Sequence, residues 1–83
     1  MRILASQVKA ARGFLGISQA QLAQAAGIAP LTVLTVENEQ KEPTDDTLMR
    51  IQTVLEEFGI EFTNGDTPGV RYNKARATRP IPK

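Results

Sequence analysis

The amino-acid sequence predicts a mainly α-helical domain of four helices, followed by a short C-terminal β-hairpin or strand pair. Three observations carry that expectation. Leu4, Val8, Ala11 and Leu15, and later Leu48, Ile51, Leu55 and Phe58, recur at three- and four-residue spacing, the period of one helical face. Between these two segments stand a Ser cap, a Gly stop and a Pro start in quick succession, the punctuation of two short helices joined by a tight turn. Near the C-terminus, two four-residue alternations of apolar and polar residues flank the turn cluster Asn64-Gly65-Asp66-Thr67-Pro68-Gly69.

The first helix is expected from Leu4 or Ala5 to Leu15, with Gly16 as its stop. Ser18 caps the second. Gln21 lies three residues on, so Ser18-Gln19-Ala20-Gln21 reads as a capping box, and Gly27 ends the helix. Leu22, Ala23 and Ala26 give it a small apolar face that admits a close neighbour. Pro30 suits the first position of a third helix, where its missing N–H costs nothing. That helix runs to Glu37, with Val33 and Val36 facing inward. Its Thr and Val residues are weak helix formers, so packing must hold it. Asn38 to Pro43 is a polar loop. Thr44 caps a fourth helix whose first turn carries Asp45 and Asp46, favourable at the positive end of the helix dipole. Gly59 ends it. Ile60–Thr63 and Val70–Asn73 are the two extended segments, pairing either with each other or with a second chain. Residues 1–59 are thus expected to form the helical domain, 60–73 a β extension and possible dimerisation element, and 74–83 a flexible basic tail.

Composition narrows function. The 83 residues include 10 Lys+Arg and 9 Asp+Glu, with no Cys and no His. Thiolate chemistry, disulfides and the commonest metal ligand and general base are therefore absent. No apolar run approaches the roughly 18 residues that span a bilayer, and no signal-peptide pattern opens the chain, so a cytoplasmic protein is the default. Asp45-Asp46 and Glu56-Glu57 have no ligand or nucleophile beside them, and Ser6 and Ser18 have no His to activate them. No catalytic site, metal or cofactor is expected.

The net charge of +1 conceals an asymmetry. Arg2, Lys9, Arg12 and Lys41 against Glu37 and Glu39 leave residues 1–41 at +2. Seven acids against Arg50 leave residues 42–69 at −6, and Arg71, Lys74, Arg76, Arg79 and Lys83 leave residues 70–83 at +5. Basic ends around an acidic middle suit a protein that meets a polyanion with its ends. They equally suit solvated helix surfaces and a solvated tail.

The segment from Ser18 to Asn38 is the informative one: a capped helix, a turn opening on Gly27, and a second short helix. Arg12, then Ser18-Gln19-x-x-Leu22-Ala23-x-x-Ala26-Gly27-Ile28, then Thr32-Val33-x-x-Val36-Glu37-Asn38, resembles the lambda-repressor-like, Cro/Xre-type helix-turn-helix family over about residues 5–58. The resemblance implies a bundle of four or five helices that binds double-stranded DNA as a homodimer and regulates transcription. Ser18 and Gln19 would open the helix that meets the phosphate backbone. Pro30, Leu31, Thr32, Leu34 and Thr35 would present the recognition helix to the major groove. Asn38, Gln40 and Lys41 would follow the phosphates, and Arg12 and Glu37 would form a structural ion pair. Two residues depart from the family pattern: Ala29 stands where a Ser or Thr cap is usual, and Glu39 where Gly is usual.

The expected reading face is sparse in the Arg, Lys, Asn and Gln that usually read base edges. Leu31 and Leu34 either touch thymine methyl groups, pack under the C-terminal segment, or mark a surface for another protein. The principal expectation is a sequence-specific regulator, a repressor or autoregulator acting as a homodimer. The alternative is a protein-binding antitoxin or antiactivator built on the same fold.

Overall fold

The computed structural model describes residues 2–82; Met1 and Lys83, the ends of the expected helical domain and basic tail, lie outside the described residues. Four helices form: α1 (Ala5–Leu15), α2 (Gln19–Ala26), α3 (Pro30–Glu37) and α4 (Asp45–Glu57). Strands β1 (Ile60–Thr63) and β2 (Gly69–Tyr72) follow, then a single 3₁₀ turn at Lys74–Arg76. The all-helical reading with a C-terminal hairpin holds. The second extended segment begins at Gly69, one residue earlier than expected, and ends at Tyr72.

The two apolar stripes meet in one core. Val8 and Ala11 from α1, Leu22 and Ala23 from α2, Val33 from α3, and Ile51, Leu55 and Phe58 from the α4 segment lose essentially all contact with solvent. Burying each large side chain contributes about 1.5–3 kcal/mol relative to exposure. The weak helix formers of α3 are therefore held by tertiary packing. Val33 and Val36 are buried beneath it, and α3 makes its most extensive contacts with α2.

The hairpin closes within one chain. β1 and β2 pair antiparallel, with Ile60 opposite Tyr72 and Phe62 opposite Val70. Two strands alone are marginal in water, and here α1 and α4 support them. Ile60 is buried, and Phe62, Val70 and Tyr72 pack against the core. Gln7 completes the attachment. It is buried in α1, and its Nε2 donates to Thr63 O at 2.8 Å and to Gly69 O at 3.0 Å. Its Oε1 accepts from Leu4 N at 2.8 Å, so one amide ties the mouth of the hairpin to the start of α1. Gly59 lets the chain turn into β1. Its φ is +104°, and an added Cβ would lie 2.7 Å from the Asn73 carbonyl oxygen. Only glycine fits both the conformation and the approach.

Residues 74–82, expected as a flexible tail, are laid against the body. Thr78 N donates to Glu57 O at 2.8 Å, and Ile81 packs against the core. Charge explains the docking. Arg71 and Arg76 pair with Glu61 at 2.7 and 3.1 Å, and Arg79 pairs with Glu57 at 3.0 Å while its guanidinium lies 5.5 Å from the centre of the Phe58 ring. At the other end, Arg2 pairs with Glu42 and Asp45. The basic ends fold onto the acidic middle.

Glu39 takes the left-handed conformation with φ +54°, the one non-glycine residue to do so among those described. The turn after α3 thus keeps its geometry with a residue that disfavours it by roughly 1–2 kcal/mol. Glu39→Gly is expected to raise unfolding free energy by about 1 kcal/mol, measured by urea denaturation. Gln7→Ala removes three part-buried hydrogen bonds and is expected to cost about 1–2 kcal/mol in the same assay, with faster proteolysis in the 64–68 turn.

Candidate nucleic-acid interface

Local chemistry shapes the Ser18–Asn38 unit first. Ser18 Oγ accepts from Gln21 N at 3.0 Å, and Gln21 Oε1 accepts from Ser18 N at 2.9 Å, so the expected capping box forms. Gly27, at φ +71°, closes α2, and Ile28 N donates to Ala23 O at 3.0 Å. This is a Schellman-type ending that reverses the chain within three residues. Ala23 is fully buried where the helices meet. Pro30 occupies the first turn of α3, while Ala29 sits at the cap position with no side-chain bond.

A buried carboxylate fixes α3 in place. Glu37 is 2 % exposed. Its Oε2 accepts from Arg12 Nε at 2.7 Å, and its Oε1 accepts from Arg12 Nη2 at 2.8 Å and from Gln19 Nε2 at 3.0 Å. Arg12 Nη1 also donates to Ile17 O at 3.0 Å. Three helices therefore meet at one carboxyl group, and the arginine that holds it is itself tied to the connection after α1. Burial works to raise its pKa. The hydrogen bonds from Arg12 and Gln19, with the positive charges of Arg12 and Lys9, outweigh that and hold it below the usual carboxylate value of 4.5. The hydrogen bond to Glu37 in turn holds the Arg12 guanidinium more firmly protonated.

The expected ion pair thus forms, and Gln19 joins it. The reading from the sequence placed Gln19 outward, on phosphate. Its Nε2 is instead directed inward to Glu37. No local pattern signals this partner, because Gln19 and Glu37 lie on different helices 18 residues apart.

With Val33, Val36 and Glu37 turned in, the opposite side of α3 faces out. Leu31 is 68 % exposed, Pro30 and Asn38 are exposed, and Thr32, Leu34 and Thr35 are half-buried. The alternative of Leu31 buried under the C-terminal segment does not hold. Thr35 Oγ donates back to Leu31 O at 2.8 Å, within its own helix. Gln40 and Lys41 are exposed on the loop beyond. An open groove of about 300 Å³ runs between α3 and this loop. Leu31, Thr32, Thr35 and Val36 form one wall, and Lys41, Glu42, Pro43, Thr44 and Thr47 the other. Pro43, Thr44 and Thr47 were not singled out from the sequence, since they become neighbours of α3 only when the loop folds back.

Acids near this surface are partly covered. Arg2 holds Glu42 and Asp45 and also donates to Pro43 O at 3.0 Å; Arg50 holds Asp46 at 2.9 Å. The C-terminal arginines do not gather here, since Glu57 and Glu61 engage them. Among the described residues, no cluster of acidic side chains has the arrangement to hold a metal ion, and no helix is long and apolar enough to cross a membrane.

A family model described as helix-turn-helix matches residues 8–57, from α1 through the whole of α4. No curated protein matches the chain.

Arg12→Ala would leave the Glu37 carboxylate buried without its main partner and is expected to cost about 3 kcal/mol of stability. The pH dependence follows from the lowered pKa. The contribution of Glu37 is fully present above about pH 4.5, where the unfolded carboxyl is ionised, and is lost as pH falls through the lower folded value. Thermal unfolding between pH 6 and pH 3 should therefore show a steeper acid loss for the parent than for Glu37→Gln.

Proposed function

The chain belongs to the Cro/C1-type helix-turn-helix family of DNA-binding transcription regulators, and on that premise we propose that it is a sequence-specific regulator that binds an operator as a homodimer and represses transcription, its own gene included. The observation that carries this reading is the division of α3 into two sides. Glu37, Val33 and Val36 anchor one side, and Pro30 and Leu31 stand clear on the other, with Asn38 exposed just beyond. A helix held in this way suits insertion into a major groove, with the helix before it crossing the backbone. Ser18 would meet the backbone at the start of α2, with Gln19 bracing that helix against Glu37, Thr32 and Leu34 would flank the reading face, and Asn38, Gln40 and Lys41 would track the phosphates beyond α3.

The dimer would use the hairpin and α4. A two-stranded sheet leaves an outer edge on each strand, and α4 presents Met49, 65 % exposed. The protein would act in the cytoplasm on duplex DNA and use no cofactor. Its family is one of DNA-binding regulators rather than of enzymes.

Binding-site selection from a random duplex pool at about physiological salt tests the reading, with sedimentation to give the mass of the free protein. The expected result is an enriched palindrome whose half-sites lie about one helical turn, roughly 34 Å, apart. Retention without enrichment would overturn it. On the selected duplex, Lys41→Ala should weaken binding across sequences alike and lower the slope of log affinity against log salt by about one.

A further inference from the structure

We propose that the recognition helix reads the C5-methyl groups of pyrimidines, with Leu31 as the residue that decides specificity. This rests on the DNA-binding reading above and names the chemistry that the reading face takes.

The argument is an inventory of what the face can offer. In helix-turn-helix docking, the N-terminal residues of the recognition helix meet base edges. Here those residues are Pro30, Leu31, Leu34 and Thr35. Pro30 carries neither a side-chain donor nor a backbone N–H. Leu31 and Leu34 are aliphatic. Thr35 has a hydroxyl, but its proton is engaged by Leu31 O at 2.8 Å. Gln19, the nearest long amide expected from the sequence, directs its Nε2 to Glu37 at 3.0 Å. Thr32 adds one short, half-buried hydroxyl, and the longer donors Asn38, Gln40 and Lys41 lie beyond the helix, so no long donor stands on the outer face of α3 itself to pair with guanine O6 or N7.

What remains is apolar. A helix that is apolar on all sides is normally buried on all sides. α3 carries five apolar residues in eight, yet Leu31, in its first turn, is 68 % exposed. The surroundings say what covers it. Lys41 and the hydroxyl-bearing Thr32, Thr44 and Thr47 line the adjoining groove beside the apolar Val36 and Pro43 and beside Glu42, whose carboxylate Arg2 engages, so the rim offers a cation and hydroxyls to a phosphate strand. An apolar centre with a phosphate-binding rim matches a major groove whose floor carries methyl groups. In that groove the only apolar group on a base edge is the pyrimidine C5-methyl. Thymine carries it always, and cytosine carries it when methylated.

The test compares the duplex recovered by selection with versions in which each thymine in turn is replaced by deoxyuridine, which removes the methyl alone. A parallel selection on a pool carrying 5-methylcytosine distinguishes the second source of the group. Loss of one buried methyl should weaken binding about fourfold, from about 0.8 kcal/mol per buried carbon. The expected result is such a loss at one or two positions per half-site, thymine or 5-methylcytosine, that vanishes in Leu31→Ala. Leu31 is largely exposed, so this variant should keep the parent's thermal unfolding, which is measured alongside. Unchanged affinity after every methyl deletion would overturn the proposal while leaving DNA binding intact. So would a penalty that persists undiminished in Leu31→Ala. Failure to enrich any duplex would remove the DNA-binding reading itself and this inference with it.

Discussion

The carboxylate of Glu37 organises this small domain. A charge that is 2 % exposed needs partners, and they come from two other helices: Arg12 on α1 and Gln19 on α2. The bidentate arginine sets orientation as well as distance, because a planar guanidinium meets a carboxylate in one plane. The angle of α3 against the first two helices is thus held by directional bonds, while Val33 and Val36 supply the non-directional part beneath. For a helix of eight residues with poor intrinsic propensity, that combination replaces the length it lacks.

Much of the fold was legible because local chemistry marks it. Ser18 with Gln21, Gly27, Pro30 and Thr44 each carry a mechanism that works within a few residues, and both ends of α2 and the starts of α3 and α4 follow from them. The amphipathic stripes of α1 and α4 were equally plain. What escaped was long-range. Gln7 looks like any surface glutamine on a helix, yet its partners lie 56 and 62 residues away. The tail looked unattached because its anchors, Glu57 and Glu61, are near only after the chain has doubled back. At the interface, the family resemblance placed Pro30, Leu31, Leu34 and Thr35 toward the groove, but the sequence left open whether Leu31 and Leu34 were exposed. The direction of the Thr35 and Gln19 donors was not legible either, because rotamer choice and tertiary partners decide it.

The charge pattern shows how one observation supports two physical outcomes. Basic ends and an acidic middle suit contact with a polyanion, and they also suit each other. Arg2, Arg71, Arg76 and Arg79 all engage acids of the middle segment. Most of these pairs are exposed, and each contributes little to stability. Their effect is rather on the outer field: near α3, Arg2 offsets the charge of Glu42 and Asp45, and Lys41 is an exposed cation beside the groove. Glu61, held by Arg71, Asn73 and Arg76, keeps its carboxyl ionised below the usual range.

The separation of the two sides of α3 bears on how such a protein changes over time. The residues that hold the helix and the residues that meet the outside do not overlap: Glu37, Val33 and Val36 do the first, and Pro30, Leu31 and Asn38 the second. Mutations on the outer set leave the clasp and the core untouched. A lineage can therefore wander among target preferences without passing through unfolded intermediates. The cost of altered recognition falls on binding alone, and the stability of the scaffold sets no toll on the search.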